Sequence, residues 1–274
     1  MRLGQIKWQG STTAAIFNHT SARPIPDYTL SDLICAAEKR GAPLAEMAEE
    51  FAIPRPVPAE PLIPLQPREV WACGSTYATS AHARGGEIYE RVRADERPQI
   101  YLKGTARVCV GPGQAIGIRP DSKFTAPEPE LALVLGARGR VLGYTLANDV
   151  SAWDIERQNP LYLPQSKTFQ ASCALGPIMV TSDEITDPRS LVLSCSVSRS
   201  GETIFSGEVA IDRLGRTLDA LIEFLLRANP VPPASVFLTG TGIIIGESAK
   251  LEAGDAVTIR IEQIGELTNP AAVL

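Results

Sequence analysis

The segment Pro127-Glu128-Pro129-Glu130 places two carboxylates two positions apart, directly ahead of the apolar run LALVLG. Residues i and i+2 of an extended strand share a face, so Glu128 and Glu130 project together. Like charges on one face repel, and a cation between them relieves the repulsion. A second apolar run, VLGYTLA, ends in Asn148-Asp149. If the two runs pair as a hairpin around Ala137–Arg140, Asp149 falls opposite or nearly opposite Glu130. Three carboxylates then converge at one end of the hairpin. Such a set suits a hard divalent ion, Mg²⁺ first, then Mn²⁺ or Ca²⁺. Solvated acids at a strand end fit the same spacing, and spacing alone leaves both readings open. The only histidines, His19 and His82, are too few for a multi-histidine site.

The elements that must position these residues are mostly short strands. VWACG, QIYLK, ELALVLG, VLGYTLA, LVLSCSVSR, VFLTG and AVTIRIEQI are strand-like runs. Turn signals such as Gly111-Pro112-Gly113 and Arg138-Gly139 separate them. One amphipathic helix is expected between Asp212 and Asn229, where Leu214, Leu218, Leu221, Ile222 and Leu225 recur at helical spacing. The chain lacks an alternating βα rhythm, which disfavours Rossmann and TIM architectures. Ahead of the strands, residues 52–68 hold six prolines and read as an extended linker. The linker sets off a small N-terminal unit. A hairpin is expected over residues 3–18, then a helix capped by Ser31 that runs to Arg40 and stops at Gly41. Pro43 opens a second helix through Phe51. The expected division is a small domain over residues 1–62 and a larger one over 63–274.

Composition narrows the function. At 274 residues, 44% apolar and 21% charged, the chain is an ordinary globular protein with room for a sizeable core. A net charge of −5 without a basic stretch argues against a nucleic-acid partner. No apolar run is long enough for a membrane span. Cys35, Cys73, Cys109, Cys173 and Cys195 are odd in number and widely spaced, as expected of reduced, mostly buried thiols. The opening MRLGQIKWQGSTTAAIF lacks a signal-peptide core, and a cytoplasmic location is expected. No phosphate-cradling glycine motif is present, so no organic cofactor is expected.

Several motifs occur in an order that resembles the fumarylacetoacetate hydrolase family. They are GPG at 111–113, PEPELALVLG, GYTLANDVSAWDIE, QSKTF, ALGP at 174–177, SGE at 200–202, TGTG at 239–242, EAGD at 252–255 and GELTNP at 265–270. The resemblance covers residue 68 to the C-terminus. It implies that Glu128, Glu130 and Asp149 are metal ligands, and that the fold is α+β and β-rich. That fold is a mixed β-sandwich roll, fumarylacetoacetase C-terminal-like, with a small N-terminal α/β unit. It also implies a homodimer. Within the family, NPLYLPQSKTF, ALGP and LTGTG are most similar to the 2-dehydro-3-deoxy-D-arabinonate dehydratase branch.

Site residues follow from the same resemblance. Lys167 matches the active-site lysine, Thr241 with Gly240 a substrate-carboxylate loop, and Lys103 a lysine beside the pocket. Tyr77 and His82 fall in the segment of a Gly-x-x-Tyr motif and a lid, with His82 a candidate general acid or base. Gly85 stands where hydrolase members carry a glutamate, and Ala81 where dehydratase members carry an arginine. Trp153 occupies the position of a substrate-facing arginine, which implies a less polar substrate or loss of the ancestral activity. The expected activity is a divalent-metal-dependent hydro-lyase acting on a 2-keto-3-deoxy sugar acid or related 2-oxo acid through a metal-stabilised enolate. The alternatives are a hydrolase or decarboxylase of a β-dicarbonyl acid such as an acylpyruvate, and a repurposed homologue without the ancestral activity.

Overall fold

The N-terminal hairpin forms as expected from β1 (Arg2–Trp8) and β2 (Ser11–Asn18), and β3 (Ser21–Ile25) extends it. The structure is a computed structural model and describes residues 1–80 and 97–274. Helix α1 (Leu30–Arg40) is capped by Thr29 rather than Ser31. Thr29 Oγ1 accepts from the Asp32 amide at 3.1 Å, and Asp32 accepts the Thr29 amide in return. This reciprocal box satisfies two otherwise orphaned donors. Ser31 lies inside the helix and donates its hydroxyl to the Gln66 carbonyl. Gly41, left-handed at φ 69°, ends α1, and α2 (Leu44–Phe51) follows Pro43. The proline-rich stretch is pinned along the sheet. Its β4 (Val57–Pro58) pairs with β3, and Leu62 N–H donates to the Gln5 carbonyl.

The remaining strands are β5 (Val70–Gly74), β6 (Gln99–Gly104), β7 (Cys109–Val110), β8 (Ile116–Ile118), β9 (Thr125–Ala126), β10 (Pro129–Leu135), β11 (Val141–Asp149) and β12 (Ser151–Ala152). Two short helices, α3 (Trp153–Gln158) and α4 (Leu163–Lys167), lead to β13 (Cys173–Thr181). Then come β14 (Val192–Arg199), β15 (Glu202–Ala210), α5 (Leu218–Leu226), β16 (Ser235–Leu238), β17 (Ala256–Ile261) and β18 (Gly265–Val273). The large sheet has the order β4-β3-β2-β1-β13-β11-β10-β16-β5-β6, with β7 also beside β13. A second sheet runs β15-β14-β17-β18-β8, and β9 pairs with β12. The N-terminal strands therefore continue the large sheet, joined where Leu3 pairs with Met179.

The central strands are buried on both faces. In β10, Leu131, Leu133 and Leu135 enter the core shared with Val197, Val257 and Ile259 of the second sheet. Ala132 and Val134 enter the core shared with Leu30, Leu33 and Met47 of the N-terminal helices. Double burial explains why this strand is a continuous apolar run rather than an alternating one. Glu130 continues the row of Ala132 and Val134 toward the strand's beginning.

Helix α5 is shorter than the Asp212–Asn229 span expected. Thr217 caps it by accepting the Ala220 amide, and Leu214 instead forms a β-bridge with Tyr77. The strands β3, β4, β7, β8, β9, β12, β13, β15 and β18 lie outside the expected runs, and β13, β15 and β18 are the longest of them. Gly176-Pro177 lies within β13, opposite an irregularity in β11, and Pro270 lies within β18. Among the described residues, no helix is long and apolar enough to cross a membrane. The architecture is the α+β, β-rich one that the resemblance implied, with packed sheets and a small N-terminal unit.

Candidate metal centre

The β10–β11 hairpin turns at residues 137–139, as expected. Pro129 pairs with Asn148 and Glu130 with Ala147, while Asp149 N–H donates to the Glu128 carbonyl at 2.9 Å. Asp149 is thus opposite Glu128 and diagonal to Glu130. The pleat turns all three side chains to one face, and one oxygen from each lies within 4.8 Å of the others. Glu128 is 2% exposed, and Glu130 and Asp149 are fully buried. Solvated acids would not be enclosed this way, so the alternative left open by spacing is removed.

Two buried lysines face the acids. Lys167, at the end of α4, places Nζ 2.9 Å from Glu128 Oε2, 3.3 Å from Asp149 Oδ2 and 2.6 Å from Ser151 Oγ. Lys103, on β6, lies 2.6 Å from Asp149 Oδ1 and donates to the carbonyls of Val150 and Lys167. Tyr101 shares the Lys103 face of β6 and donates its hydroxyl to Asp149 Oδ2 at 2.5 Å. Gly240 N–H donates to Glu130 Oε2 at 2.5 Å. Asn148 Oδ1 accepts the Glu128 amide, and Trp153 Nε1–H donates to Glu128 Oε1 at 2.8 Å.

Burial shapes the electrostatics. It drives the Glu130 carboxyl well above the ordinary carboxylate range; the charges of Asp149 and Glu128 add to this, and the Gly240 amide and Lys167 oppose it. Burial also pushes Asp149 upward, but the charges of Lys103 and Lys167, with hydrogen bonds from Lys103 and Tyr101, outweigh it and hold Asp149 at about 2. Three carboxyls crowd two lysines in a buried place, which is why Glu130 resists ionisation there without a further cation. Glu130 Oε1 is buried with no hydrogen-bond partner among the described residues. An unpaired buried carboxylate oxygen is costly, and a divalent ion satisfies it. The donor set is all oxygen and all carboxylate, which fits Mg²⁺. Glu128, Glu130 and Asp149 are the residues that would hold it.

Of the residues singled out in the sequence, Glu128, Glu130, Asp149, Lys167, Lys103, Gly240 and Trp153 meet here. Thr241 is buried but exchanges hydrogen bonds with Ile243 in its own loop. Tyr77 is buried with no hydrogen-bond partner for its hydroxyl among the described residues. Burial, then the charges of Glu130 and Asp212, raises the pKa of that hydroxyl. His82 lies outside the described residues, as do Ala81 and Gly85. Sequence reasoning missed Tyr101, Asn148 and Ser151. The signal for Tyr101 was its place two residues before Lys103, on the same face of a strand.

A sandwich of this kind, holding a buried glutamate pair, an aspartate and a lysine, defines a class. The chain matches the family model of the fumarylacetoacetate (FAA) hydrolase C-terminal region over residues 69–272, and it belongs to that family. It is 44% identical over 216 residues to a 2-dehydro-3-deoxy-D-arabinonate dehydratase of Saccharolobus solfataricus, covering 76% of this chain and 72% of that protein. It is 42% identical over 212 residues to a probable 2-keto-3-deoxyxylonate dehydratase of Haloferax volcanii, covering 76% and 73%. A solved 2-keto-3-deoxy-D-arabinonate dehydratase complexed with magnesium and 2,5-dioxopentanoate superposes with a TM-score of 0.84 at 36% identity, covering 100% of this chain and 99% of that one.

Proposed function

We propose that this protein is a divalent-metal-dependent hydro-lyase that removes water from a 2-keto-3-deoxy sugar acid or a related 2-oxo acid. The observation that carries the proposal is the buried contact of Lys167 with Glu128 and Asp149, in a chain similar to dehydratases of such acids. A bound Mg²⁺ would supply Lewis-acid charge for the oxygens of a 2-oxo acid. Glu128, Glu130 and Asp149 would hold the ion, and Lys167, in contact with Glu128 and Asp149, is the candidate base beside it. Its neutral amine then accepts the C3 proton, and Ser151 Oγ, 2.6 Å from Nζ, holds the amine in place. The hydroxyl at C4 leaves with a proton as water, and tautomerisation yields a 2,5-dioxo acid. His82 is the candidate donor of that proton. Gly240 and Thr241 are candidates for the substrate carboxylate, and the buried Tyr77 hydroxyl is a further donor. Homodimeric assembly and a cytoplasmic location belong to the same proposal.

The test is incubation of Mg²⁺-loaded protein with a panel of 2-keto-3-deoxy sugar acids and acylpyruvates, with products read by mass spectrometry. The expected result is loss of one water from a sugar acid. Carbon–carbon cleavage of an acylpyruvate, with every sugar acid untouched, would overturn the proposal in favour of the hydrolase alternative.

A further inference from the structure

Trp153 stands where the family resemblance placed a substrate-facing arginine, yet its polar atom meets a carboxylate of the metal centre. Nε1–H donates to Glu128 Oε1 at 2.8 Å, and both side chains are almost wholly buried. The indole is fixed from several directions. Pairing of β12 with β9 anchors Ala152, and Trp153 N–H donates to the Phe124 carbonyl at 2.9 Å. The Phe124 ring packs against the indole with centroids 5.6 Å apart. The Arg157 guanidinium, one helical turn later in α3, lies 5.0 Å from the indole centroid. The donor is therefore held in place before any ligand arrives.

We infer that Trp153 is a positioning residue for the metal ligand Glu128. Its N–H ties down Oε1 and fixes the carboxylate so that Oε2 is on the side of Lys167 and Asp149. An arginine at this position would bring a full positive charge to a carboxylate that has to bind a cation. The indole supplies one directional donor with no net charge, so Glu128 keeps its charge for the ion. The cation is instead one turn away at Arg157, over the ring. Groups that orient a metal ligand in this way typically contribute roughly 10- to 100-fold to metal affinity.

This inference rests on the metal reading of the site. The test is calorimetric Mg²⁺ titration of wild type and Trp153→Phe, which keeps an aromatic ring and removes the donor. The expected result is roughly 10- to 100-fold weaker Mg²⁺ binding in the variant. Equal affinity in the two proteins overturns the role of Trp153 and leaves the metal centre standing. Absence of Mg²⁺ uptake by the wild type overturns both. A second measurement needs no change at 153. In a ¹⁵N-labelled Trp8→Phe/Trp71→Phe background, the remaining indole N–H signal is expected to shift on Mg²⁺ addition; a signal unmoved at saturation overturns the inference even if Trp153→Phe does not fold.

Discussion

Replacing Lys103 by methionine removes one ammonium and keeps the length of the side chain. Lys103 is fully buried, 2.6 Å from Asp149 Oδ1, and also donates to the carbonyls of Val150 and Lys167. Taking one partner from a buried ion pair leaves an uncompensated charge, at a cost of about 3–5 kcal/mol. For a chain of this size, 1 kcal/mol moves Tm by about 2 °C. The metal-free variant should therefore melt roughly 6–10 °C below wild type. Added Mg²⁺ should reverse much of the loss. At one hundred times Kd a ligand adds about 2.7 kcal/mol, roughly 5 °C in wild type. Removing a neighbouring positive charge tightens cation binding, so the Mg²⁺-induced rise should be larger in the variant at the same Mg²⁺ concentration. Scanning calorimetry with and without Mg²⁺ measures both effects. An unchanged metal-free Tm, or a smaller Mg²⁺-induced rise than in wild type, would refute the electrostatic reasoning.

Gly240 adopts φ +92°, and a Cβ there would lie 1.9 Å from Thr76 Oγ1. Gly240→Ala should cost on the order of 1–3 kcal/mol in backbone strain and weaken Mg²⁺ binding by displacing the amide from Glu130; melting and Mg²⁺ titration check both. Lys167→Ala should lower turnover by roughly 10²- to 10⁴-fold while Mg²⁺ still binds, and Lys167→Arg should not restore it, because a guanidinium stays protonated. Near-native turnover in Lys167→Arg would make this lysine a positioning charge. Away from the site, Asp255 accepts from Arg199 and from the Glu252 amide. Burial opposes its ionisation, but these bonds and the Arg199 charge outweigh it and lower its pKa. Its contribution is therefore fully present above the ordinary aspartate range and is lost as pH falls through the lowered value. Asp255→Asn should lower Tm at pH 7 and flatten the acid limb of the stability profile; parallel profiles for the two proteins would contradict this.

The hairpin that carries the acids was legible because strand periodicity and one turn fix its geometry. Asp149 faces Glu128 and lies diagonal to Glu130, nearly opposite it as expected; which of the two glutamates it faces is a register detail that spacing cannot settle. The burial of Lys103 was less legible. A lysine at a strand end is ordinarily solvated, and its partner Asp149 arrives from β11, far along the chain. The two meet because β6 leads into β7, which pairs with β13, the neighbour of β11, and Lys103 Nζ is held there by the carbonyls of Val150 and Lys167. Trp153 was visible as a departure from the family pattern, but its contact with Glu128 depends on how β12 enters α3. Helix α5 was overextended because Leu214 continues the apolar spacing, although it belongs to a bridge with Tyr77. The strand β13 was hidden by Gly176-Pro177, residues that usually mark turns.

Turnover of a 2-keto-3-deoxy sugar acid, followed while Mg²⁺ is titrated into metal-free wild type and Glu130→Gln, tests the central claim most directly. Glutamine keeps an acceptor for the Gly240 amide, removes the charge, and puts an NH2 group that cannot ligate a cation in place of the second oxygen, which is buried without a partner among the described residues. The expected result is water loss from the substrate that rises with Mg²⁺ occupancy in wild type. Little or none is expected in Glu130→Gln at the same concentrations. Dehydration that proceeds equally in both proteins, or that survives complete chelation of Mg²⁺, would contradict a metal-dependent reaction at these three carboxylates.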